Sequence, residues 1–187
     1  MPLIFVPPPP PVYSTYEQSL LDFMGPHPPA AQVYHLPVGT LGLAELAAGA
    51  KLADVVPTGC RILASWPDAT WTSCEMTNPT LYGNAKFRNF TAGGLAGVAF
   101  ARIGQAQALD AVRSEDYELH FLSVPGIYLE ALHLVCKGKG GDLVLPLVSI
   151  DPQLGLDAVC DEATFLAIAR ASAAARVRMT STDPLSS

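Results

Sequence analysis

A chain of 187 residues, half of them apolar and 15% charged, has enough apolar material for one domain with a sizeable core and is too apolar for whole-chain disorder. With 11 basic residues against 17 acidic ones and a net charge of −6, it lacks the clustered Lys and Arg that neutralise phosphates, which excludes nucleic acid as the main partner. No apolar run reaches the ~18 residues that span a bilayer, and the cysteines at 60, 74, 136 and 160 show no C-x-x-C spacing of a zinc ribbon or redox motif.

Ten of the 17 prolines fall in the first 37 residues, which marks residues 1–32 as a proline-rich N-terminal arm. The apolar stretch 1–6 has no basic residue ahead of it and is ended by prolines, so it does not read as a secretory leader. Reduced thiols and a cytoplasmic location are the expectation. Residues 7–11 are predicted to be extended, because each proline ring fixes φ and removes a donor. Tyr13, Tyr16, Leu20, Leu21, Phe23 and Met24 then make the segment too apolar for a free tail. It is expected to dock on the domain or on a second copy.

The domain proper is predicted over 33–179. Leu43, Leu46, Ala47 and Ala50 recur at helical spacing, and Pro57 and Gly59 end that helix. Residues 60–66 and 71–77 read as strands around the Pro67-Asp68 turn, and 78–90 reads as a loop. A long helix over 91–112, capped by Thr91, places Leu95, Ala99, Ile103 and Ala106 on one face, with Arg102 among them. Strands follow at 117–124, 127–136 and 143–150, then a helix over 163–177 and a disordered tail at 180–187. The expected fold class is α+β: an antiparallel meander of about five strands with helices packed on one face, plus the proline-rich arm.

Several groups of residues are candidates for function. Pro10-Pro11-Val12-Tyr13 matches the P-P-x-Y pattern read by WW domains, since a preformed polyproline helix loses little entropy on docking. The Ala-rich, Lys-poor composition reads as bacterial, where such a reader is absent, so a WW-recruited adaptor or viral assembly protein is a lesser alternative. Tyr16 belongs to the same apolar arm, and Trp66 and Trp71 flank a turn from which paired tryptophans can anchor a partner. A tight turn at Val124-Pro125-Gly126-Ile127 would set Glu118 opposite His133 and His120 opposite Ala131, with Glu118, His120 and His133 on one sheet face. Two imidazoles and a carboxylate can bind a metal or perform acid–base work. The glycines of 91–97 form neither a Walker loop nor G-x-G-x-x-G and read as packing glycines. No nucleophile elbow and no cofactor motif is present, so no cofactor is expected. The leading expectation is a non-enzymatic interaction or assembly protein acting through its arm, by binding a protein partner or itself. The alternative is a small enzyme or ligand-binding domain using the Glu118, His120 and His133 face.

Overall fold

The computed structural model describes residues 3–77, 85–155 and 157–181. Among them, eight strands make one sheet: β1 Gln32–Thr40, β2 Pro57–Ser65, β3 Trp71–Thr77, β4 Phe87–Ala92, β5 Tyr117–Val124, β6 Leu129–Cys136, β7 Leu143–Val148 and β8 Cys160–Asp161. Their order across the sheet is β4-β3-β2-β1-β5-β6-β7-β8. Among the described residues the α-helices are α1 Pro10–Met24, α2 Leu43–Ala47, α3 Gly94–Ala108, α4 Asp110–Ser114 and α5 Glu162–Ser181, with 3₁₀ turns at Leu52–Asp54 and Pro125–Ile127.

The five-strand antiparallel meander is therefore wrong, although the class remains α+β. The sheet is mixed: Val38, Gly39 and Thr40 of β1 run parallel to Phe121, Leu122 and Ser123 of β5. The connection explains it. β4 lies at the sheet edge, and α3 carries the chain back across one face to the middle, the kind of crossover that a parallel neighbour requires.

Helices cover both faces of the sheet. On one, Ala99, Ile103 and Ala106 of α3 bury against Leu36, Leu63, Leu119, Phe121, Leu132 and Leu145. Small residues let α3 lie close: a Cβ on Gly97 would stand 3.2 Å from the Trp71 ring. Arg102, on the buried side of α3, forms no ion pair among the described residues, although Asp157 lies near enough to favour its charge. Its guanidinium donates to the Ala158 carbonyl at 2.6 Å and to the Gln105 side chain. The helix predicted over 91–112 is divided at Leu109, whose extended backbone (ψ 135°) separates α3 from α4.

The opposite face carries two separate helical layers. α1 covers β2 and β3, where Val12, Tyr16 and Leu20 bury against Ile62, Ala64, Cys74 and Met76. α2 and α5 cover the other half, where Leu46, Phe165 and Ala169 meet Leu122, Leu129, Ala131 and Val144. The N-terminal segment reaches both halves of the sheet. The Ile4 amide donates to the Tyr117 carbonyl at 2.8 Å and its carbonyl accepts the Leu119 amide at 3.0 Å, so it continues the sheet where β1 and β5 separate. Pro37, which has no N–H for a ladder, stands just before the three parallel pairs begin. Leu3 is buried in the α3 core, and Phe5 stacks on Tyr34 at 4.7 Å. Pro10 and Pro11 occupy the first turn of α1, where a missing N–H costs nothing. The P-P-x-Y tetrapeptide is thus helical rather than polyproline II. The loop expected over 78–90 falls partly outside the described residues, and its end is strand β4. Of the tail expected to be disordered, residues 182–187 also lie outside them.

Candidate functional site

The gap between the two helical layers falls over β5 and β6. There the hairpin register differs from the expected one: His120 pairs with His133 and Glu118 with Val135. Pro125–Ile127 forms a 3₁₀ turn and Tyr128 takes the left-handed conformation (φ 49°), which lengthens the turn by two residues. A shift of two positions preserves the faces, so Glu118, His120 and His133 still share one side of the sheet.

Each histidine is held by a carboxylate. His120 Nε2 lies 2.5 Å from Glu118 Oε1, and His133 Nε2 lies 2.8 Å from Asp142 Oδ2. The two rings meet edge-on at 6.2 Å. Lys137 Nζ, at 2.7 Å, takes the second oxygen of Glu118, and the Cys136 amide donates to Asp142 Oδ1 at 2.9 Å. Asp142 and Lys137 belong to the 137–142 turn, and only the β6–β7 register shows that this turn folds back beside His133. Among the described residues no three His, Cys, Asp or Glu side chains cluster as a metal site would require. The arrangement is two adjacent His–carboxylate pairs.

The electrostatics define the ring states. Burial holds the His120 pKa below its ordinary 6.5, outweighing the upward pull of Glu118, so the ring is neutral at pH 7. Burial alone would raise the Glu118 carboxyl, but hydrogen bonds from Lys137 and His120 outweigh it and hold the group below the usual carboxylate range. Asp142 is likewise held low, against burial, by His133 and the Cys136 amide. An ionised carboxylate only accepts, so Nε2 of His120 carries the proton and Nδ1 is left as a lone pair. Neither histidine's Nδ1 has a hydrogen-bond partner among the described residues, and neither is sealed from solvent.

Two cavities flank the pairs. One, of about 340 Å³, is floored by His120, His133 and Asp142 and walled by Leu52, Val55 and Val135. The other, of about 290 Å³, lies between His120 and Glu118 on one side and Val6, Pro7, Pro8 and Pro9 on the other. His120 borders both. The cleft thus has apolar walls and a floor with two imidazoles, of which His120 presents a neutral-ring acceptor, the composition usual for small-ligand pockets.

The residues singled out as partner anchors separate into groups. Tyr13, Tyr16 and Trp66 come together around a third cavity, against α1. Trp71 packs instead on α3 at Gly97, and Pro10 and Pro11 start α1. All four cysteines are free; Cys60 pairs with Met76 and Cys74 with Ile62, so the two lie diagonally rather than opposite.

These pairs make the cleft a source of acid sensitivity. In the unfolded chain His120 takes up a proton near its ordinary 6.5, while the folded ring resists it, so stability is complete above that pH and falls as pH drops through the lowered value. Glu118 and Asp142 add a further loss below their ordinary 4.5 and 3.8. The melting temperature is expected to hold between pH 7 and 8 and to fall from pH 6.5 downward, less steeply in His120→Gln. Equal slopes in the two proteins would contradict this.

Among the described residues no helix is long and apolar enough to cross a membrane. Compared with protein-family models, curated proteins and solved structures, the chain matches none.

Proposed function

We propose that this protein binds a small organic ligand in the cleft over β5 and β6, between the prolines that lead into α1 and the 3₁₀ turn Leu52–Asp54, with His120 and His133 as its hydrogen-bonding and acid–base groups. One observation supports it above others: two carboxylate-anchored imidazoles stand side by side where neither helical layer covers the sheet, each with an Nδ1 that has no hydrogen-bond partner among the described residues. A carboxylate on the far nitrogen fixes the tautomer and makes the near one more basic, the arrangement of a general base. The apolar walls favour a ligand with a hydrocarbon body and one donor group, such as a hydroxyl, whose proton Nδ1 accepts. A fragment screen followed by amide NMR tests the reading. Binders are expected to shift Gly39, His120, His133 and Val135, and His120→Gln is expected to weaken them by about tenfold, the loss of one hydrogen bond to a buried group. Binding that ignores both His120→Gln and His133→Gln would remove the proposal.

Association with a protein partner or a second copy through the N-terminal segment is a second reading. Tyr13, Leu21, Phe23 and Met24 stay exposed on α1, and Phe23 stacks on Phe90 of the edge strand β4 at 5.4 Å. Light scattering decides the self-association version: a dimer that Phe23→Glu dissociates supports it, and a monomer at every concentration rejects it.

A further inference from the structure

We propose that the groove between α1 and Trp66 is a separate binding site for a small organic cation, an ammonium group carried on an apolar or aromatic body. The cavity measures about 450 Å³ and is walled by Tyr13, Tyr16, Glu17, Leu20, His27 and Trp66 among others. That volume lies within the ~300–1,000 Å³ typical of small-molecule pockets.

Charge selects the ligand class. Glu17 is the only carboxylate in the wall, and no Lys or Arg lines it among the described residues. An anion would find no counter-charge there, and the net charge of −6 adds to the disadvantage. A cation meets Glu17 at the rim and the negative faces of aromatic rings inside, the combination that recognises organic ammonium ions. The rings are set for this. Tyr13 and Tyr16 lie 6.4 Å apart and tilted by 55°, and His27 meets Trp66 edge-on at 4.8 Å. The Trp66 indole N–H is committed to Thr72 Oγ1 at 3.1 Å, which fixes the ring and removes its donor from the wall.

His27 Nδ1 faces the Pro28 carbonyl at 3.1 Å, and a carbonyl only accepts, so Nδ1 carries a proton in that contact. His27 Nε2 and the Tyr16 hydroxyl are both buried without a partner among the described residues. Both atoms are closed off from the cavity, so a ligand's ammonium would reach them only through a side-chain rotation, and recognition rests on Glu17 and the ring faces. The benzyl-sized apolar body would lie along Leu20 and the tyrosine rings.

The test titrates the full chain with benzylammonium, benzyl alcohol and benzoate, observing the Trp66 indole and α1 amide signals by NMR. Benzylammonium is expected to saturate these signals, with benzyl alcohol about tenfold weaker, the scale of a desolvated cation–π contact, and benzoate weaker still. Glu17→Gln is expected to lower benzylammonium affinity about threefold to tenfold, the range of one partly screened charge pair. Tyr13→Ala, at an exposed position, should weaken it as well, with an unchanged amide spectrum elsewhere as the check on folding. His120→Gln should leave it unchanged, which separates this site from the histidine cleft. Equal affinity for the alcohol or the carboxylate, indifference to both Glu17→Gln and Tyr13→Ala, or shifts confined to His120 and His133 would each overturn the proposal.

Discussion

Removing residues 1–24 is expected to abolish the cooperative thermal transition, because this segment is part of the core. Without it, Ile62, Ala64, Cys74 and Met76 lose the cover of Val12, Tyr16 and Leu20. Leu3 also leaves the α3 core, and β5 loses the backbone bonds that it makes with Ile4. Full burial of each large apolar side chain stabilises by about 1.5–3 kcal/mol. Losing four such residues is therefore comparable to the ~5–15 kcal/mol total stability of a typical domain. A single truncation grades the effect: Leu20→Ala should cost about 2–5 kcal/mol, read from denaturant midpoints. Tyr16→Phe is the counter-case. The hydroxyl is buried without a partner among the described residues, so its removal should leave stability unchanged or raise it. A deletion protein that still melts cooperatively near the temperature of the full chain would show that α1 is only an appendage.

The second large effect is expected at Arg61, on the α3 face of β2. Its guanidinium sits 2.7 Å from Glu75 and 3.1 Å from Glu130, and 3.7 Å above the Phe121 ring. Arg88 also reaches Glu75, at 3.1 Å. Arg61 ties the β2–β3 half of the sheet to β6 across the short parallel junction, where only three residue pairs join β1 to β5. Arg61→Met leaves two partly buried carboxylates without their shared cation, a change that costs about 3–5 kcal/mol where burial is complete. Here the lower end applies, because the Glu130 side chain is 27% exposed and partly screened. Adding Glu75→Gln and Glu130→Gln to Arg61→Met should recover much of that loss, since the penalty is the unpaired charge rather than a missing attraction. A triple variant as unstable as Arg61→Met alone would mean that the stem packing of Arg61, not its charge, is what matters.

How far the fold is legible in the sequence follows from what each strand packs against. β3 and β5 are short apolar runs bounded by turn residues, and their limits, Trp71–Thr77 and Tyr117–Val124, coincide with the expected ones. β1 is hidden by Pro37 and Gly39, which break its apolar pattern, although its pairing with β2 extends over nearly its whole length. β4 is an edge strand whose Arg88 and Asn89 face solvent, so it reads as a polar loop. β8 has two residues, too few for any periodicity. The parallel pair is invisible for another reason: it depends on which way α3 returns across the sheet, a tertiary choice.

The site shows the same division. That Glu118, His120 and His133 share a face follows from strand parity and withstands the two-residue error in register. The carboxylate that holds His133 does not follow, because Asp142 arrives through a turn. Nor does the opening above the histidines, which exists only because α1 and α5 cover different halves of one face. The aromatic residues behave alike: Tyr13, Tyr16 and Trp66 are conspicuous in the sequence, but the cavity that they share requires α1 to fold back on β2 and β3.

Ring-¹⁵N NMR of the histidines across pH 4–9 tests the role of the two imidazoles most directly. Both rings, when neutral, are expected to be Nε2–H tautomers, His120 is expected to titrate below its ordinary 6.5, and a cleft-binding ligand is expected to move the Nδ1 resonances of His120 and His133 first. An Nδ1–H tautomer at either ring, a His120 that titrates above the ordinary value, or ligands that bind while both Nδ1 signals stay still would contradict it.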